Sequence, residues 1–198
     1  MDRNQRCVVA LSLLFPALAI AQKSVCDQSL DGLIQHATRQ QMEQCLAVRG
    51  MPVNAKVTPI DFPLHDAALR GYVDVVRLLL KMKYAVDAPD AQGNTALHNA
   101  ALKGRLEVVS ALLEAGASPN AASRSGSTPL HEAALGGNSR VIELLVAKGA
   151  SVDAVDAEGN TPLHLAAAFE RKDGVDALLR AHASPRIVNK RGQTALRP

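Results

Sequence analysis

The chain has no tryptophan, and only 3% of its 198 residues are aromatic. A core with so few large rings must be filled mainly by alanine and leucine, which favours closely packed helices over a β-sandwich. The formal net charge is only +3, and no basic run or aromatic-rich sheet pattern is present. These features argue against a nucleic acid or an anionic membrane as the partner.

Sequence motifs of common catalytic sites are also missing. The chain contains no nucleophile elbow, no phosphate-binding glycine loop and no H-E-x-x-H pair. No cysteine or carboxylate stands at ligand spacing from the recurring histidines. We therefore predict a protein that is not an enzyme and that uses no cofactor, no metal and no small-molecule substrate.

The N-terminal apolar run is too short for a membrane span, which needs about 20 apolar residues. It covers 15 residues, Cys7 to Ala21, contains Pro16, follows Arg3 and Arg6, and ends in an A-x-A pattern. This layout is typical of a secretory signal peptide, residues 1–21, cleaved near Ala21. We expect the mature protein to be periplasmic or secreted and free of membrane contact; an uncleaved N-terminal anchor is the alternative.

Cysteine is scarce, and one of the three, Cys7, lies in the predicted signal peptide. Cys26 and Cys45 remain, and two cysteines in an oxidising compartment have only one possible pairing. A bridge across their 19-residue separation would stabilise the fold by about 3 kcal/mol in the chain-entropy model. The alternative is two unrelated thiols, with Cys45 a small buried hydrophobic residue.

A ten-residue pattern recurs at a spacing of 33 residues. It reads TALHNAALKG from Thr95, TPLHEAALGG from Thr128 and TPLHLAAAFE from Thr161, with FPLHDAALRG one period earlier at Phe62 and TALRP one period later at Thr194. The second halves of the units, such as LEVVSALLEAGASPNA and SRVIELLVAKGASVDA, are also in register. Such units cannot bury their own apolar stripes, so they must stack.

Each unit has a clear physical interpretation. Thr95, Thr128 and Thr161 are predicted N-caps of a short helix, often followed by proline at the first helical position. A second helix carries an apolar stripe, Val-Val-x-x-Leu-Leu. Gly116 and Gly149 are predicted to stop that helix in the left-handed conformation, and the remainder is an extended arm with a tight turn.

The T-P-L-H-x-A-A signature, the 33-residue period and the G-A-x-V-D/N-A ending resemble the ankyrin repeat. The resemblance implies an all-α repeat solenoid, an ankyrin stack of about four to five helix pairs with β-hairpin-like arms, and a protein-binding module without catalytic activity. The predicted units are a degenerate N-terminal capping repeat at 22–61, full repeats at 62–94, 95–127, 128–160 and 161–193, and the start of a truncated repeat at 194–198.

The resemblance assigns a scaffold role to one histidine in each repeat, whose ring hydrogen-bonds backbone and ties neighbouring arms together. Adjacent repeats are about 10 Å apart, too far for equivalent histidines to share a metal. Glu132 aligns with Asp66, Asn99 and Leu165, so we interpret it as a variable surface position rather than a catalytic base. The scaffold histidines are His65, His98, His131 and His164.

Positions that differ between repeats are where the resemblance places a protein partner. An apolar row of first-helix leucines, with Phe169 at its end and basic residues beside it, is our predicted binding strip. The alternative is that the next repeat's first helix partly covers these leucines. The predicted contacts are Leu69, Arg70, Leu102, Lys103, Leu135 and Phe169 on the helices, and Gln92, Asn94, Arg124, Ser125, Glu158 and Asn160 on the arms.

The sequence predicts a monomer that binds and modulates or inhibits a periplasmic protein. A toxin-immunity role and an enzyme-assisting role, such as with catalase, both fit. A secreted effector that binds a host protein, or a purely structural scaffold, is the alternative. At the C-terminal edge, we expect residues 186–198 to fold over the Val175, Leu178 and Leu179 stripe; the alternative is that a partner covers it.

Overall fold

The helices of this chain recur with the 33-residue sequence repeat, two in each described repeat. The structure, a computed structural model, describes residues 62–196. The predicted signal peptide, the predicted capping repeat with Cys26 and Cys45, and the last two residues lie outside this range. The described residues all belong to one compact unit.

The described range forms eight helices in four antiparallel pairs, and it contains no strand. First helices pack on first helices of adjacent repeats, and second helices pack on second helices. This arrangement confirms the predicted all-α repeat solenoid. The helices are α1 (Phe62–Arg70), α2 (Val73–Lys81), α3 (Ala96–Leu102), α4 (Leu106–Glu114), α5 (Pro129–Gly136), α6 (Ser139–Ala147), α7 (Pro162–Ala168) and α8 (Lys172–Arg180).

The core contains the small aliphatic side chains that the composition requires. Leu97, Leu130 and Leu163, one in each successive first helix, are fully buried. Ala100 and Ala133 are also fully buried, and their small volume lets neighbouring first helices approach closely. The low aromatic content is therefore compatible with a well-filled core.

Three of the four described arms are tight turns held by one side chain. Asp156 Oδ1 accepts the backbone N–H of Glu158 at 2.9 Å and that of Asn160 at 2.7 Å, an Asx-type turn. Asp90 and Asn189 make the same pair of bonds in their own arms.

Successive arms are joined by their backbones. The N–H groups of Arg124, Ala157 and Lys190 donate to the carbonyls of Gln92, Ser125 and Glu158 in the preceding arm, at 3.0, 2.8 and 3.0 Å. The predicted β-hairpin character is therefore minimal among the described residues, where one isolated antiparallel bridge, Val188 to Thr194, is present.

The C-terminal apolar stripe is only partly covered. Leu178 is buried, Val175 is half-buried, and the side chain of Leu179 stays 37% exposed. Residues 189–193 continue the series of arms, with Lys190 bonded to the preceding arm. The expectation that residues 186–198 would fold over the stripe does not hold for Leu179.

Candidate protein-binding surface

The repeat histidines use both ring nitrogens within the scaffold. In His131, Nδ1 accepts the N–H of Thr128 at 3.2 Å, so Nε2 carries the proton that is donated to the carbonyl of Asn160 at 3.0 Å. His98 and His164 make equivalent bonds to the next arm, with Ser127 and Gln193 as acceptors.

Burial reinforces this neutral form. It lowers the pKa of His98 and of His131, because the charged imidazolium would lose its hydration inside the stack. A neutral ring with both nitrogens engaged has no free site for proton transfer or metal binding. The geometry therefore gives each of these rings the role of joining the first helix of a repeat to the arm at the end of that repeat.

His65 is the exception in the series. Its Nε2 lies 2.9 Å from the carbonyl of Asn94, but its buried Nδ1 has no hydrogen-bond partner among residues 62–196. The residue three positions earlier is Phe62, which lacks the threonine hydroxyl found in the other repeats. The first described repeat is thus less well satisfied than the next three.

Two kinds of site are absent from residues 62–196. No three His, Cys, Asp or Glu residues in that range are grouped so that they could hold a metal ion. No helix in the range is both long and apolar enough to cross a membrane.

The predicted strip is partly covered and partly open. Leu69, Leu102 and Leu135 are half-buried, while Phe169 is 53% exposed. Lys103, which follows Leu102 in the sequence, is exposed. The strip therefore has exposed apolar area, but this area is smaller than three fully exposed leucines would give.

Residues in the loop of the next repeat bond to the backbone carbonyls of these leucines. Nε of Arg171 donates to the carbonyl of Leu135 at 2.9 Å, and Nδ2 of Asn138 donates to that of Leu102 at 3.1 Å. Arg105 reaches the carbonyl of Leu69 at 3.3 Å. These bonds fix the ends of the first helices and hold the strip in place.

The two basic residues beside the strip differ in whether they form an ion pair. The guanidinium of Arg70 pairs with Asp66, with Nε 2.9 Å from Oδ1, and this pair raises the pKa of Arg70. Lys103 has no ion pair among the described residues. Lys103 is thus the freer of the two predicted basic contacts.

The predicted arm contacts fall into two groups. Gln92, Arg124, Ser125 and Glu158 are exposed at the tips. Asn94 and Asn160 are half-buried, and their amides bond to Asp90 and Asp156 within their own arms. These two asparagines hold the turns, so their side chains are less available to a partner than the sequence suggested.

Sequence reasoning missed two exposed valines on the arms. Val155 and Val188 are each 55% exposed, and they occupy the same repeat position as Pro89 and Ala122, which are also exposed. Alignment of the arms at the 33-residue period would have shown an apolar residue at this position in every unit. The apolar surface therefore extends onto the last two arms.

Glu132 is less exposed than a variable surface position would be. It is half-buried, and its Oε1 accepts the hydroxyl of Ser127 at 2.8 Å. Burial raises the pKa of its carboxyl group, and the Ser127 bond only partly opposes that rise.

Comparison with known proteins agrees with this geometry. A family model described as ankyrin repeats, in three copies, matches residues 34–123 and 117–189. Together the two matches cover more than half of the chain. The chain belongs to the ankyrin-repeat family. A comparison with curated proteins found no match.

Ankyrin repeats are interaction modules that bind other proteins, and they are typically scaffolds without enzymatic activity. In this ankyrin protein, the recurring histidines, and the threonines where they are present, are bonded within the scaffold. The side chains that remain free are those that differ between repeats. They define the candidate binding surface: the leucine strip with Phe169, the exposed tips, and the two valines.

Proposed function

We propose that this ankyrin-repeat protein is exported, and that it binds one periplasmic protein and modulates or inhibits it. Support for export comes from the N-terminal layout of residues 1–21. The single possible pairing of Cys26 with Cys45 is compatible with an oxidising compartment.

The observation that carries the binding role is that some side chains are bonded within the scaffold while others stay exposed. His131 uses both ring nitrogens for the scaffold, whereas Phe169 and the arm valines expose more than half of their surface. Exposed apolar side chains on a rigid frame lower the free energy of a complex when a partner covers them. A binding surface follows from this arrangement more directly than any reaction does.

Two versions of this role make different demands. An immunity protein must occlude a toxin's active site with at least nanomolar affinity, about −12 kcal/mol. A protein that assists an enzyme, such as a catalase, can bind more weakly and leave its activity intact or raised. Measuring the partner's activity with and without the purified protein separates the two.

The binding role is tested by disrupting the strip. The partner is first recovered with the protein from periplasmic extract, purified, and its Kd is measured. We expect the double substitution of Leu102→Asp and Leu135→Asp to weaken binding at least tenfold, because it places charge in the apolar strip. Leu113→Asp is the control, since Leu113 is a half-buried leucine on the second helix of the same repeat.

The control must leave the Kd unchanged, and circular dichroism must show that all the variants are folded. An unchanged Kd in a folded double variant would remove the strip from the binding site.

Export is tested on protein recovered from the periplasmic fraction. We expect the mature chain to begin at Gln22 and to contain no free thiol at Cys26 or Cys45. A chain that retains its first residues, found in the cytoplasmic fraction, would contradict export. Two free thiols in periplasmic protein would contradict the disulfide alone.

A further inference from the structure

The four described arms differ sharply in charge. The arm at 86–94 contains Asp87 and Asp90, and the arm at 119–127 contains Arg124 as its charged residue. The arm at 152–160 contains three carboxylates and no cation, whereas the arm at 185–193 contains three cations and no carboxylate. The last arm, residues 185–193, therefore reverses the charge of the arm beside it.

Most carboxylates of the earlier arms are already engaged by backbone N–H groups. Asp87 accepts the N–H of Ser118 at 3.1 Å, and Asp153 accepts that of Ser184 at 2.9 Å. Asp90 and Asp156 hold their own turns. These carboxylates keep their negative charge, but their oxygens are already bonded to the scaffold.

In the last arm, residues of other types occupy the positions of these carboxylates. Arg186 occupies the repeat position of Asp87 and Asp153, and neutral Asn189 occupies the turn position of Asp156. Asn189 still holds the turn through Oδ1, at 3.0 Å from the N–H of Arg191. The last arm therefore keeps its shape while it gains positive charge.

The three cations of the last arm have no carboxylate partner among the described residues. Ion pairs in residues 62–196 join Asp66 to Arg70 and Glu143 to Arg180. The ammonium of Lys190 donates to the neutral carbonyl of Ala157, which leaves its charge uncompensated. Arg186, Lys190 and Arg191 are all exposed.

An apolar side chain lies between the cations. Arg186, Val188 and Lys190 are exposed, while Ile187 and Asn189 between them are half-buried. Arg186 and Lys190 lie in turns on either side of Val188, so an exposed apolar side chain stands between two exposed cations in the sequence. A partner segment that carries both carboxylates and apolar side chains would match this composition.

We infer that the last arm binds an acidic segment of the partner protein, with carboxylates on Arg186, Lys190 and Arg191 and an apolar side chain on Val188. This inference rests on the proposed function, because it specifies the chemistry of the partner on the same surface. A phosphate backbone or a lipid headgroup would satisfy the cations but would supply no apolar group beside them for Val188. An acidic peptide satisfies both.

The test uses an acetylated, amidated eight-residue peptide of alternating glutamate and valine, with a lysine–valine peptide as the control probe. Binding to the purified protein is measured by NMR chemical-shift changes at low salt. We expect the acidic peptide to shift backbone amides of residues 185–193 and the lysine peptide to leave them unchanged. High salt must weaken the interaction, because exposed charge pairs are screened.

A triple variant makes the test specific. Arg186→Asp, Lys190→Ala and Arg191→Glu introduce the residues that the preceding arm has at those positions, so the turn should survive. We expect at least a tenfold weaker affinity for the acidic peptide. The matched control makes the same changes on the second helices, Arg77→Asp, Lys81→Ala and Arg140→Glu, and it must leave the affinity unchanged.

Several outcomes would overturn the inference. They are equal binding of both peptides, no shift at millimolar peptide, or equal weakening in the control variant. Tighter binding of single-stranded DNA or of phosphatidylglycerol vesicles, lost in the triple variant, would assign the patch to phosphate instead. If the peptide fails but the leucine-strip variant still loses the natural partner, the inference falls and the proposed function stands.

Discussion

The ring of His131 joins the two ends of its own repeat, because it bonds to Thr128 at the start of the first helix and to Asn160 at the end of the arm. Both bonds are buried or partly buried, so removal of the ring would leave buried polar groups without partners. Such unsatisfied groups cost about 1–3 kcal/mol each. The position is therefore expected to be among the most sensitive in the chain.

We expect His131→Ala to lower the free energy of unfolding by about 2–4 kcal/mol, because a cavity adds to the lost hydrogen bonds. His65→Ala should cost about 1 kcal/mol less, since Nδ1 of His65 has no partner to lose. Urea denaturation of the purified variants measures both values. His164→Ala is the control, because His164 lies in the last described repeat and has its bonds complete. A loss for His65→Ala as large as that for His164→Ala would contradict the expectation.

Glu132 is a second residue whose burial has a measurable consequence. Its pKa is raised in the folded protein, so the folded state holds the carboxyl proton at pH values where the unfolded state has lost it. The stability contribution of this group is therefore present below the unfolded pKa, about 4.5, and is lost as pH rises through the folded pKa.

We expect Glu132→Gln to raise the free energy of unfolding at pH 7 and to change it little near pH 4. The amide oxygen of glutamine can still accept the hydroxyl of Ser127, and no charge needs to be buried. Glu114→Gln is the control, because Glu114 also accepts a serine hydroxyl, at 2.8 Å from Ser110, but is exposed. A gain of equal size at both pH values would refute this account.

At the scale of the elements, two of the four second helices end at a left-handed residue that is not a glycine. Gly116 and Gly149 end two of these helices with φ of +91° and +88°. The equivalent residues Lys83 and His182 also have positive φ, +64° and +63°, although neither is a glycine. A side chain in this left-handed region costs roughly 1 kcal/mol.

We expect Lys83→Gly to stabilise the protein by about 0.5–1 kcal/mol, because glycine adopts this conformation without the Cβ clash. Lys81→Gly, two residues earlier at the end of α2, should destabilise it by a similar amount, because glycine is a poor helix former. Thermal denaturation of both variants measures the two effects. The same sign for both would show that the positive φ of Lys83 carries no strain.

One hydrogen bond between adjacent repeats recurs at the same position of each repeat. In one case Oδ1 of Asn120 accepts the N–H of Ser151 at 2.8 Å, and Nδ2 of the same residue donates to the carbonyl of Gly149 at 2.9 Å. Asp87 and Asp153 accept the equivalent N–H groups of their own next repeats. Stability is thus distributed over nearest-neighbour contacts, as in other repeat proteins.

At the scale of the whole molecule, these contacts predict a gradient of stability. Repeats 95–127 and 128–160 have glycines at all four left-handed helix ends, whereas the repeat at 161–193 has Glu170 and His182 there. Leu179 of α8 also remains 37% exposed. The last described repeat therefore combines backbone strain with an open apolar edge.

We expect amides of α4 and α5 to exchange with deuterium more slowly than those of α8. In free energy, the difference should be at least about 1 kcal/mol, since two strained helix ends cost roughly that amount or more. Native-state hydrogen exchange by mass spectrometry measures it. Uniform protection across residues 95–180 would show that the stack opens only as one cooperative unit.

Much of this molecule could be predicted from local sequence. Thr128 and Pro129 start a helix, Gly149 ends one, and the 33-residue period dictates that the units stack. These features depend on capping, φ preference and apolar periodicity, which act within a few residues. The helix pairs and the family were accordingly predicted correctly.

Exposure at the candidate surface could not be predicted in the same way. Leu135 is half-buried, and its carbonyl accepts a hydrogen bond from Arg171, 36 residues later. The engagement of Asn160 depends on its contacts within and between arms. Val155 and Val188 were not among the predicted contacts, and the structure shows that they are exposed.

The sequence alone therefore determined the repeat, the helix boundaries and the scaffold residues, because the interactions that set them lie within one 33-residue unit. Only the tertiary structure decided which variable side chains stay free. That outcome depends on whether a loop or arm of the next repeat contacts them. It left Val188 and the cations of the last arm open, while it covered part of the leucine strip.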